Sequence, residues 1–152
     1  MFLAAPVSAQ TISYTTRTLD STEVRVGTGQ PATIVAVFAT WCTTCRNEFG
    51  TLDSLKRALA PRGIRVLALS VDERDDADVR KYTAARGTHV LVARDASGAV
   101  GRTFGTVGVP ETYLVDDKGV IRWRGRGDLR AGVVALRRAL AELKQATSSS
   151  RP

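Results

Sequence analysis

Three apolar runs dominate the middle of the chain: TIVAVFA at 33–39, IRVLALSV at 64–71 and HVLVARD at 89–95. The first two are almost unbroken in branched and apolar residues, the pattern of strands covered on both faces. Helical spacing fills the gaps between the runs. Residues 42–60 carry Phe49, Leu52, Leu55 and Leu59 on one stripe, and Pro61 and Gly63 close it. The acidic run DERDDAD at 72–78 opens a second helix reaching Arg86, its aspartates suited to the positive end of the helix dipole. Buried strands alternating with helices fold as an α/β domain around a sheet.

The flanks complete that sheet. Residues 13–26 alternate polar and apolar around Asp20 and Ser21, which predicts a short, partly exposed N-terminal β-hairpin. A short helix or turn falls at 99–104. The stretch GVPETYLVDDKGVIRWRG at 108–125 holds two strands joined by a turn at 116–119, where Asp116 and Asp117 read as turn residues. Residues 129–143 form a last helix with Val133, Leu136, Leu140 and Leu143 inward, and 144–152 read as a disordered tail. The expected unit is one domain over 10–143, with a mixed central sheet flanked by helices. Two readings of residues 1–9 stand open, a signal-peptide remnant ending at Val7-Ser8-Ala9 and a flexible arm.

The charge balance is +7, with 22 basic residues scattered along the chain. Their densest run, RWRGRGDLR at 122–130, is broken by turn residues. A solvated or partner-steering face is therefore expected, not a nucleic-acid site. No apolar run approaches the roughly 18 residues needed to span a bilayer.

The only two cysteines stand three apart, in ATWCTTC at 39–45, where the first buried strand meets a helix start. On a helix such a pair sits about 5–6 Å apart at Cβ. A disulfide needs about 3.8 Å, so slight tightening lets the sulfurs bond and part without moving the fold. Cys42 at the helix start meets free N–H groups and the positive dipole end, which favour a thiolate. Cys45, one turn deeper, is shielded and suited to act second. A structural disulfide across so short a loop would add little stability. A metal centre lacks ligands, since His89 is the sole further candidate and reads as a strand-end residue. Transient copper binding by the pair stays open.

Taken together, TIVAVFA, Trp41-Cys42-Thr43-Thr44-Cys45 and, some way on, GVPETYLVDDKGVI resemble the TlpA-like thiol–disulfide oxidoreductases (ResA/CcmG-type) of the thioredoxin superfamily. The likeness covers about residues 15–143. It implies a thioredoxin-like fold, Cys42 as attacking and Cys45 as resolving thiol, and a cis Pro110 facing them with the Val109 backbone pairing with a partner peptide. Glu48 matches the acid that relatives carry after the second cysteine and would exchange protons with Cys45. Trp41 and Glu111 would line the site, and Thr43 and Thr44 would help set the redox balance.

Two departures stand out. Ala36 occupies the position where many thioredoxins bury an acid, and Gly50 stands where relatives often have proline. The implied activity is reduction of specific protein disulfides outside the cytoplasm, in the periplasm or its equivalent. No cofactor beyond the cysteines is implied. The implied partners are clients such as apocytochrome c or copper-site cysteines, and a membrane electron donor. A monomer is expected. A copper- or client-binding module is the alternative of another class. A thiol peroxidase is a second, disfavoured because peroxide chemistry usually wants a threonine and an arginine set around a lone attacking cysteine, and Thr40 lies only two residues before Cys42.

Overall fold

The structure is a computed structural model that describes residues 11–149. The residue 1–9 readings lie outside that range. Strands β1 (Ser13–Arg17) and β2 (Glu23–Gly27) form an antiparallel hairpin, as expected. Strands β3 (Thr33–Phe38), β4 (Arg65–Ser70), β5 (Leu91–Arg94), β6 (Glu111–Val115) and β7 (Ile121–Arg126) form one sheet in the order β5-β4-β3-β6-β7. The β3–β4 and β4–β5 pairs are parallel, and β6 and β7 are antiparallel additions, so the sheet is mixed.

Central β3 has all six residues buried, which explains why its sequence shows no polar alternation. Ile34, Ala36 and Phe38 enter one core with Leu52, Leu55, Leu59, Leu136 and Leu140. Val35 and Val37 enter the other, beneath the hairpin residues Tyr14, Val24 and Val26 and beside Val100 and Phe104. The hairpin thus buries one whole face of its own. Each large aliphatic side chain buried in these layers contributes about 1.5–3 kcal/mol. Gly27 ends β2 at φ 117°, and a Cβ there would meet the Ile12 carbonyl oxygen at 1.9 Å, so only glycine fits.

Three helical boundaries differ from the sequence reading. The helix expected at 42–60 is two pieces, α1 (Thr43–Arg46) and α2 (Phe49–Leu59), followed by a 3-10 turn at Ala60–Arg62. At the break Asn47 N donates to Thr44 O and Glu48 N to Cys45 O, both three residues back, before Leu52 N restores the four-residue step on Glu48 O. Next, α3 (Asp76–Ala84) starts only after Asp75, whose side chain accepts from Asp78 N. The acidic residues before it, Asp72 among them, belong to the loop leaving β4. A short α4 (Ala99–Phe104) follows β5 as expected. Finally, α5 (Leu129–Ser149) runs past residue 143, through the start of the expected tail, where Lys144, Gln145 and Ala146 are good helix formers.

Candidate active site

Strands β3 and β4 run parallel and end together, with Phe38 beside Ser70. The chain leaving β3 turns at once, closed by Cys42 N donating to Ala39 O at 3.1 Å. Cys42 then takes an extended conformation, φ −85° and ψ 111°, as the N-cap of α1. Its Sγ accepts from Cys45 N at 3.2 Å. Helix capping normally uses a serine, threonine or aspartate oxygen; here a sulfur occupies that place, where N–H groups favour negative charge.

Cys42 and Cys45 are disulfide-bonded, with Cα atoms 5.3 Å apart. Their burial is unequal in the expected sense. Cys42 keeps 8% of its surface open, whereas Cys45 has 0%. Around them Trp41 is 71% exposed, and Thr43 and Thr44 are exposed too.

The antiparallel register sets Val37 opposite Glu111, which brings Val109 and Pro110 to the same sheet end as the turn into Cys42. The Val109–Pro110 bond is cis. Val109 packs against the core that holds both cysteines. A groove of about 550 Å³ runs here between Trp41, Val71, Val107 and Val109. Val107 and Trp41 are two of the three large exposed apolar residues among those described.

The two acids expected at the site part company. Glu48 is 2% exposed, and its Oε1 accepts from Leu129 N, the first residue of α5, at 2.6 Å. Burial pushes its carboxyl up to about 7, against the lowering pull of the Leu129 hydrogen bond; the Asp128 charge raises it further and Arg130 lowers it. Glu111, also buried, lies on the opposite face of the sheet from the cysteines, the face it shares with Tyr113 of the second core. It accepts from the Tyr113 hydroxyl and pairs with Arg126 Nε at 3.1 Å. Desolvation, with Glu111 beside it, pushes the Tyr113 hydroxyl up to about 12. Glu111 is therefore engaged in a network of its own, away from the disulfide.

Ala36 is buried in the cysteine-side core, level with Thr112 of β6, whose buried hydroxyl has no partner among the described residues. Gly50 faces open space, so the missing proline leaves no packing defect there. The Thr40 hydroxyl donates to the Asp72 carboxylate at 2.5 Å. Asp72 itself escaped the sequence reading because it sits in an acidic run that looks like ordinary helix capping.

The AhpC/TSA family's sequence profile matches residues 6–124. The chain belongs to the AhpC/TSA family. Among curated proteins it is similar to the thiol:disulfide interchange protein DsbE of Tatumella citrea, 37% identical over 105 residues, covering 69% of this chain and 54% of that protein. The DsbE of Yersinia pestis is 39% identical over 101 residues, covering 66% and 51%. The chain spans about half the length of these relatives. Among solved structures, the thioredoxin domain of a thiol-disulfide oxidoreductase from Bacteroides vulgatus superposes with a TM-score of 0.68 at 23% identity, covering 89% of this chain and 99% of that one. That likeness shows a thioredoxin-like fold for this family member, as the motifs around Cys42 and Pro110 implied.

Proposed function

We propose that the protein is a thiol–disulfide oxidoreductase that reduces selected protein disulfides outside the cytoplasm. The observation that carries the reading is the asymmetric pair: an N-capping Cys42 with 8% exposure bonded to a Cys45 with none. DsbE relatives, named for thiol:disulfide interchange, support it.

In the reducing direction, the Cys42 thiolate attacks one sulfur of a client disulfide. A Cys42–client bond forms, the client S–S bond breaks, and the departing client sulfur takes up a proton. Cys45 then gives its proton to Glu48 and attacks the Cys42 sulfur, releasing the second client sulfur, which takes up a proton in its turn. The client gains two electrons and two protons, and the protein is left with its Cys42–Cys45 disulfide. A membrane electron donor would return that disulfide to the dithiol. Trp41 and the groove up to Val109 would seat the client chain, with the Val109 backbone pairing to it. The client class is an extended polypeptide carrying a cysteine pair, of the kind found in apocytochrome c or at a copper site. No helix among the described residues is long and apolar enough to cross a membrane; the +7 charge would help to steer contact with an acidic donor.

The redox direction is tested by equilibrating the protein in glutathione buffers and trapping free thiols. A reductant keeps Cys42–Cys45 oxidised until the buffer is poised below about −200 mV. A pair that is already reduced near about −120 mV would be an oxidant, and the reducing reading would be lost.

A further inference from the structure

Because β3 and β4 end side by side, the two segments that leave them are neighbours. Val71 N extends the pairing one step, donating to Phe38 O at 2.9 Å. The next residue, Asp72, is 5% exposed and aims its carboxylate at the turn that carries the active cysteine. Its Oδ2 accepts from Thr40 N at 3.0 Å and from the Ser70 hydroxyl at 2.5 Å; its Oδ1 accepts from the Thr40 hydroxyl at 2.5 Å. Asp72 N donates to the Ser70 oxygen at 3.0 Å, which fixes the carboxylate's own position. Thr40 is the first corner residue of the turn closed by Cys42 N on Ala39 O, and Trp41 is the second.

A buried carboxylate with three donors gathered on it is costly to break, because every donor left behind is desolvated without a partner. The disulfide is the other restraint on Cys42, and reduction removes it. In the dithiol, Cys42 is held over the Cys45 N–H by its core packing and by its own turn. We propose that Asp72 is a positioning residue that holds Thr40 and so keeps Cys42 at the α1 N-cap, and Trp41 outward, in the reduced protein. This rests on the redox reading above, but its test needs no client.

The experiment compares two neutral variants of the reduced protein, Asp72→Asn and Asp72→Ala, by the rate at which Cys42 is alkylated across a pH series. The asparagine oxygen can still accept from Thr40 N and Ser70, while its amide donates to the Thr40 hydroxyl, which reverses its role. Both variants lose the charge, and only the alanine loses the clamp. Cys42 in Asp72→Ala is expected to react at least about threefold more slowly near neutral pH than in Asp72→Asn, the scale of a lost helix-terminus interaction. Equal rates in the two folded variants would overturn the proposal and leave the redox reading untouched. Should Asp72→Ala fail to fold, Thr40→Val against Thr40→Ser poses the same question, with the valine expected to be slower and equality again overturning the assignment.

Discussion

Replacing Cys45 with serine is expected to turn the protein from a catalyst into a trap. The reduced variant, mixed with a disulfide-bonded client, accumulates a covalent adduct that reducing agent dissolves, and turnover falls to background. The reason lies in the burial. Of the two cysteines only Cys42 has any exposure, so the client is expected to bond there; Cys45, with 0% exposure, is the thiol placed to displace it. Serine at 45 is nearly isosteric, keeps the backbone N–H that faces Cys42 Sγ, and cannot attack a disulfide. Cys42→Ser should form no adduct at all. The result is read by non-reducing electrophoresis and mass spectrometry. An adduct forming equally well through Cys45 in the Cys42→Ser protein would contradict the assigned order of attack.

Glu48→Gln is expected to stabilise the oxidised protein at alkaline pH and to slow the reduced one. The disulfide removes both thiols from titration, so Glu48 can be followed against a quiet background. Its folded-state carboxyl is raised to about 7 from the ordinary value of 4.5. Between those values the folded protein holds more protons at this site than the unfolded chain does. Stability therefore falls as pH rises through that window and levels off above it. The difference corresponds to at most about 3–4 kcal/mol, from about 1.4 kcal/mol for each unit. Glutamine keeps an oxygen for the Leu129 amide and carries no charge to desolvate. Thermal unfolding of the oxidised forms should show little difference near pH 4.5. At pH 8 the variant should melt several degrees higher, given about 2–4 °C per kcal/mol for a chain of this size. If Glu48 takes the Cys45 proton as proposed, the same change should slow release of client from the mixed disulfide at neutral pH. Melting curves that stay parallel at both pH values would show that Glu48 does not titrate in this window.

The central sheet and both cysteines were legible in the sequence because their signals are local. An unbroken β3 run means a strand with two covered faces, and a CxxC after it lies on the first helical turn. What escaped was set by register between distant segments. Glu111 looked like a site residue from its place beside Pro110, yet pleat alternation sends it to the other face with Tyr113. Asp72 looked like helix capping, yet the parallel pairing of β3 and β4 delivers it to Thr40. The break after Arg46 was invisible for a similar reason: Asn47 and Glu48 have no strong helix-breaking character, and the tightened turn arises from capping at Cys42 and from docking Glu48 on α5.

All of this depends on a sulfur made acidic by the start of α1. The direct measurement is an alkylation titration of the reduced protein, following Cys42 and Cys45 separately by mass spectrometry. Cys42 is expected to titrate well below the ordinary thiol value of about 8.5 while Cys45 stays protected. Two thiols reacting together, and only near or above that value, would contradict it.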